Sequence, residues 1–312
     1  MPQEISVKIE NLCYSVNNKS ILDNLCLDIY KGEILGLLGP NGTGKTTLLS
    51  LLTGLKQKKS GSIMVGKSTS AKDWRGLIGL VPQEYSFYME YTVRQNLELF
   101  GSLYDIPSKE LRKRMDDFCK WIELEGYLDI RAKYLSGGYK RMLNLGCSIL
   151  HDPDVIYLDE PTVGLDPYMR HLTWEKIKDL RNRGKTVVIT THYMTEAEDL
   201  CDRVAIFSKG KILTIGNTQD MIREHGGYRI ATIKLSRLPS EYLPKLLEKD
   251  FKDIEISIEG TYLKISFHSE KSIEELAAII KYVNSQGYEI EYARIKEPKL
   301  EDVFLRLTKG LI

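Results

Sequence analysis

The chain has 312 residues, with 44 Lys and Arg set against 43 Asp and Glu, a net charge of +1. Its 42% hydrophobic and 28% charged content is that of a folded globular protein; it excludes a disordered chain and leaves no basic surplus for nucleic acid. The longest uncharged run, Ile34 to Gly44, is 11 residues and is broken by Pro40 and several glycines, against about twenty apolar residues for a membrane span.

The first residues, Met1-Pro2-Gln3-Glu4-Ile5, have no basic start followed by an apolar stretch, so no secretory leader is expected. Five cysteines (Cys13, Cys26, Cys119, Cys147, Cys201) are scattered without a C-x-x-C pair. That pattern fits reduced thiols in a cytosol better than a disulfide framework or a zinc site.

In chain order, Ile34–Leu38, Ile78–Val81, Val155–Leu158 and Val187–Thr190 read as strands apolar on both faces. Helical patterns lie near residues 45–54, 92–104, 108–121, 138–150 and 168–183. Strands alternating with helices predict a mostly parallel, layered α/β sheet. Val204–Phe207 and Ile212–Ile215 read as a closing hairpin. From about Gly226 the pattern changes to strand, helix, two strands, helix and strand, ending in an amphipathic segment from Leu300. That β-α-β-β-α-β order is ferredoxin-like. It predicts domains at residues 1–226 and 227–312.

Gly39-Pro40-Asn41-Gly42-Thr43-Gly44-Lys45-Thr46 joins the first strand to the helix that opens at Thr47. This is the phosphate-loop pattern in the context that gives it mechanical sense. Glycines let successive N–H groups converge, and the helix start adds the positive end of its dipole. Lys45 would reach the β- and γ-phosphates, and Thr46 would hold Mg²⁺. A glycine turn that binds nothing is the plain structural alternative, and all four fixed positions argue against it. Downstream, Asp159 and Glu160 end an apolar strand at the carboxyl edge where open α/β sheets bind ligands. Asp159 is a candidate for Mg²⁺ or its water, and Glu160 for the general base.

Leu135-Ser136-Gly137-Gly138 lies about ninety residues after Lys45 and about two dozen before Asp159. With this segment the chain resembles the ATP-binding cassette (ABC) ATPases of transporters. The resemblance implies a P-loop cassette with a mostly parallel sheet, an antiparallel β part and a helical subdomain at about residues 85–150. It implies ATP and Mg²⁺, with Ser136, Gly137 and Gly138 on ATP bound to the opposite subunit. Gln83 matches the glutamine that senses Mg²⁺ and the attacking water. Asp166 matches the loop across the dimer interface, and His192 the histidine on the γ-phosphate. Tyr14 matches the aromatic that stacks on adenine. Taken alone, Gln83 reads as a surface turn, Asp166 as a helix cap and His192 as a strand-end histidine; their order and spacing favour the family roles.

Two departures stand out. Tyr139 follows the signature where the family usually carries Gln or Met, and Gly146-Cys147 replaces commoner alanines. The segment Glu297–Phe304 resembles the closing stretch of ATPase subunits serving drug, lipid and polysaccharide exporters. The implied protein is an exporter ATPase, cytoplasmic and peripheral on the membrane. Its partners are a separate permease and a second ABC subunit, the same or related, with no nucleic acid expected. Glu84 to Tyr91, with four aromatics and Met89, lies where the family docks its permease; the equal alternative is that these residues fold into the local helical layer. The rival reading is a soluble ABC ATPase acting on ribosomes. Chromosome ATPases need a coiled coil between the motifs, and P-loop kinases lack the signature.

Overall fold

The computed structural model describes residues 4–252, 254–267 and 272–308. Two compact units are present, Met1–Thr218 and Gln219–Ile312. In the first, β1 (Ile5–Val16) and β2 (Lys19–Tyr30) form an antiparallel hairpin over Asn17 and Asn18. Both asparagines are left-handed, with φ of 47° and 61°, as a two-residue hairpin turn requires. Then come β3 (Ile34–Leu38), α1 (Lys45–Leu52), β4 (Ser60–Val65) and β5 (Ile78–Val81). A helical stretch follows: α2 (Val93–Ser102), α3 (Ser108–Trp121) and α4 (Gly137–Ile149). The unit continues with β6 (Val155–Asp159), α5 (Pro167–Asn182), β7 (Thr186–Thr191), α6 (Met194–Leu200), β8 (Arg203–Ser208) and β9 (Lys211–Gly216).

Six strands form the main sheet in the order β5-β6-β7-β3-β8-β9. All neighbours are parallel except the terminal β8–β9 pair. Every residue of β3, β6 and β7 is buried, because a parallel sheet is covered on both faces. Leu35, Leu37, Tyr157 and Val188 pack with Leu48, Leu49, Leu51 and Leu52 of α1 and with Leu27 and Ile29 of β2. A full burial of such a side chain contributes about 1.5–3 kcal/mol, so the phosphate loop is sprung from a stiff core. The helical layer has its own core, in which Leu97, Leu111, Met115 and Met142 meet Leu165, Met169 and Leu172.

The three-stranded antiparallel sheet β2-β1-β4 has strands with no clean alternation in the sequence. Register shifts between Ile9 and Leu12, and again toward Tyr14, explain this. Asn11 bulges with φ 49°, so the apolar spacing jumps from two to three.

α7 (Thr218–His225) starts at the last residue of the first unit. The second unit continues through β10 (Arg229–Leu235), α8 (Leu243–Asp250), β11 (Ile254–Glu259), β12 (Tyr262–Phe267), α9 (Ser272–Ser285), β13 (Ile290–Lys296) and α10 (Leu300–Thr308). Its sheet runs β11-β12-β10-β13 with all pairs antiparallel. Alternate residues Ala231, Ile233 and Leu235 turn onto Leu243 and Leu247 of α8 and Ile279 and Val283 of α9. This is the β-α-β-β-α-β arrangement expected from the sequence. Among the described residues no helix is long and apolar enough to cross a membrane.

Candidate nucleotide-binding site

β3 delivers the chain into residues 39–44 at the carboxyl end of the sheet. Gly39 has no room for a side chain: a Cβ would lie 2.4 Å from the Phe207 carbonyl oxygen of β8. Gly44 has φ 110° and is the N-cap of α1, and no side chain caps the first turn of that helix. Lys45 is 5% exposed. Its Nζ donates to the carbonyls of Gly39 at 2.6 Å and Pro40 at 2.9 Å. Burial pulls the ammonium pKa down, against the opposing pull of Glu160 and Asp159.

The acidic end is built by neighbouring strands. Asp159 pairs in register with Thr190 across β6 and β7. Its Oδ1 accepts from Thr190 Oγ1 and, at 3.3 Å, from Thr46 Oγ1 of α1. Glu160 has a left-handed backbone, φ 47°, a conformation that costs of order 1–3 kcal/mol for such a residue. Its N–H donates to Thr190 O at 3.2 Å and Thr190 Oγ1 at 3.0 Å. Its side chain is buried, with Oε1 3.2 Å from His192 Nδ1. The strain is thus held by β7, and it turns the carboxylate toward the phosphate loop.

A cavity of about 410 Å³ is lined by Asn41, Gly42, Gly44, Lys45, Thr46 and Thr47 together with Gln83 and Glu160. Ile21 of β2 also lines it; sequence reasoning missed this residue because an apolar residue in a strand signals only packing. Asp159 and His192 join through the hydrogen bonds above. Gly39 contributes its carbonyl to Lys45.

Tyr14, Ser136, Gly137, Gly138 and Asp166 lie outside this cavity lining. Tyr14 pairs with Leu22 in the hairpin, and the Lys56 ammonium stands 5.7 Å from its ring centroid. Ser136 is the N-cap of α4, accepting from Tyr139 N–H at 3.4 Å. Gly138 faces Met169 of α5, whose Cγ would be 2.4 Å from an added Cβ. Asp166 caps α5, accepting from Met169 N–H at 3.0 Å. The Tyr139 ring packs on Tyr127 with centroids 4.4 Å apart. A hydrogen bond with Tyr127 and partial burial push its phenol up to about 12.

In the aromatic segment, Tyr85, Tyr88, Met89 and Tyr91 are exposed. Phe87 takes the alternative course and is buried with Val93 and Leu97 in the helical core. Sequence reasoning also missed Arg141 and Asn144, both buried on α4. Polar residues three apart on a helix read as a solvated face.

The family described as ABC transporter matches residues 22–163. The chain is 32% identical over 305 residues to the linearmycin resistance ATP-binding protein LnrL of Bacillus subtilis, covering 97% of this chain and 98% of the relative. It is 36% identical over 307 residues to the Nod factor export ATP-binding protein I of Mesorhizobium japonicum, covering 97% and 87%. Among solved structures, cbiO1 from Clostridium perfringens, part of the ABC transporter complex cbiONQ, superposes with a TM-score of 0.66 at 28% identity, covering 71% of this chain and 92% of that one. Alignment over nearly the whole length, together with the phosphate loop and paired acids, places this chain among the ATP-binding, ATP-hydrolysing subunits of ABC transporters.

Proposed function

We propose that this chain is the cytoplasmic motor of an exporter, and that complete ATP sites form only when it meets a second ABC subunit. Glu160 carries the reading. A strained carboxylate sits 3.2 Å from His192, facing a helix start with no side-chain cap and a buried lysine. In this reading the triphosphate enters the cavity and Lys45 exchanges the Gly39 and Pro40 carbonyls for β- and γ-phosphate oxygens. Water attacks the γ-phosphorus, the bond to the bridging oxygen breaks, and ADP departs with the electron pair. Glu160 accepts the proton from the attacking water, and His192 orients that carboxylate.

The oxygen pair formed by Thr46 Oγ1 and Asp159 Oδ1, 3.3 Å apart, fits Mg²⁺, a hard cation that takes one or two protein oxygens beside phosphates and waters. Gln83 would complete the protein's share. An Mg²⁺ held by these residues would supply neutralisation of the triphosphate's charge. Tyr14 would stack on adenine. The start of α4, with Ser136, Gly137 and Gly138, would meet the γ-phosphate held by the second subunit, and Asp166 would lie across that interface. One phosphate loop and one signature segment per chain support this head-to-tail arrangement.

ABC ATP-binding subunits work with membrane permeases. For this chain the exposed Tyr85, Tyr88, Met89 and Tyr91 offer an amphipathic patch for a permease helix, which would hold the protein on the cytoplasmic face. Export is favoured because relatives named for Nod factor export and for linearmycin resistance align along 97% of the chain, including its closing segment.

Phosphate release and light scattering test the chemistry together. Glu160→Gln should slow hydrolysis by about 10²-fold or more and accumulate a dimer in saturating Mg-ATP. A variant that hydrolyses at the parent rate, or stays monomeric, sinks the assignment.

A further inference from the structure

The loop that carries Gln83 is fastened to the signature helix by two buried side chains. Arg141 is 7% exposed and Asn144 fully buried. Arg141 Nη1 donates to the carbonyls of Gln83 at 2.6 Å and Pro82 at 3.4 Å. Asn144 Nδ2 donates to Pro82 O at 3.1 Å and Glu84 O at 3.4 Å. In return, Asn144 Oδ1 accepts from the N–H and hydroxyl of Ser86, each at 2.9 Å. The Tyr85 hydroxyl closes the set by donating to Gly137 O at 3.4 Å.

This is more than a helix lying on a loop. A buried cation is costly unless its charge is met. Among the described residues Arg141 has no carboxylate ion pair. Its guanidinium rests on main-chain carbonyls and lies 5.5 Å from the Tyr85 ring centroid. Burial lowers its pKa, while Tyr85, Asp159 and Glu160 work the other way. The cation therefore also feels the acids of the phosphate cavity. Gln83, whose carbonyl Arg141 holds, turns toward that same cavity. Ser136, five residues before Arg141 on the other end of the connection, caps the helix start.

We propose that Arg141 and Asn144 are positioning residues that make the glutamine loop and the signature helix one rigid piece. When Gln83 engages the Mg²⁺ and water side of the chain's own ATP, Ser136 and Gly138 are thereby set for the ATP of the second subunit. The idea rests on the dimer reading above for its consequence, but the rigid link itself exists within one chain.

Amide hydrogen exchange on the Glu160→Gln chain tests the link below the dimerisation concentration. Mg-ATP is expected to slow exchange in residues 82–89 and 135–145 together. Adding Arg141→Met should leave the protection of 82–89 and abolish that of 135–145, with the affinity for a fluorescent trinitrophenyl-ATP changed by less than about twofold. In light scattering the ATP concentration for dimerisation should rise by about threefold to thirtyfold, the range of mutations along a coupled path. Arg141→Gln, which keeps a neutral donor, carries the same comparison if the methionine variant folds poorly, and should lie between the two. Joint protection of both segments in Arg141→Met overturns the proposal, as does loss of nucleotide affinity in step with loss of dimerisation. A Glu160→Gln parent that never dimerises overturns the dimer reading instead, and the exchange data still decide the link.

Discussion

The sharpest consequence of the geometry concerns Gly138, where an alanine must displace Met169. A Cβ there would stand 2.4 Å from Met169 Cγ, 2.7 Å from Cε and 3.0 Å from Sδ. Swinging the terminal methyl does not relieve the first contact, because Cγ is only one bond from the Met169 Cβ. Met169 is itself buried in the helical core with Leu165 and Leu172, so the side chain has little space to retreat. Overpacking of this kind costs about 1–3 kcal/mol, offset by up to about 1 kcal/mol from replacing a helical glycine. Gly138→Ala alone should therefore destabilise by about 1 kcal/mol. Met169→Ala alone should cost about 2–4 kcal/mol as a cavity. In the double variant the added methyl enters that cavity, gaining about 0.8 kcal/mol, and the glycine penalty disappears without a clash. The double variant should thus be more stable than the sum of the singles by about 3 kcal/mol, at the top of the usual range for touching residues. Urea denaturation of the four proteins measures this, with hydrolysis rates alongside. If the two effects add to within about 0.5 kcal/mol, Met169 does not explain why position 138 is glycine.

Two further outcomes follow from charge and exposure. Lys45→Met removes a buried ammonium that, among the described residues, hydrogen-bonds to its own loop carbonyls and makes no close ion pair, so the nucleotide-free protein should melt at about the same temperature. Its Mg-ATP affinity should nevertheless fall by about ten- to a hundredfold, the loss of charged hydrogen bonds worth about 1.5–3 kcal/mol; calorimetric titration with a parallel thermal melt reads both. Tyr88 is 57% exposed and touches Tyr91, so Tyr88→Glu should leave basal phosphate release within about twofold while abolishing co-purification with a polytopic membrane partner. Undiminished capture of that partner would refute the docking surface.

Much of the nucleotide site was legible because its chemistry is written in short contiguous segments. The phosphate loop and the paired acids combine residue types that a strand-to-helix turn needs, the signature combines those that open a helix, and their order is that of one family. The buried strands were legible for a different reason: a sheet covered on both faces forces continuous apolar runs such as Ile34–Leu38. What escaped notice depends on contacts between distant segments. Thr190 stabilises both Asp159 and the strained Glu160 from a neighbouring strand, yet in sequence it is one threonine in a β-rich run. Arg141 and Asn144 look like solvated helix positions until the glutamine loop folds beneath them. The bulged strands β1 and β2 break the two-residue rhythm that would have marked them, and Phe87 gave no sign that it faces inward while its aromatic neighbours face out.

The charged groups of the cavity are not waiting bare for a nucleotide. Buried polar groups must be satisfied at every stage, and here each has an interim partner. Lys45 leans on the Gly39 and Pro40 carbonyls, Asp159 on two threonine hydroxyls, and Glu160 on His192. In the proposed binding mode ATP therefore does not simply add contacts; it would replace this set with another. The exchange favours a ligand whose phosphate oxygens reach Lys45 and the start of α1 at once, because a shorter ligand would break interim bonds without replacing them all. It also makes the first replacement a signal. If the loop shifts as Gln83 engages the bound nucleotide, the carbonyl that Arg141 holds moves with it, or the buried cation loses its shortest hydrogen bond. Keeping that bond is the less costly course, so under the proposed link a change confined to one phosphate cavity would be carried into the helix that starts at Ser136.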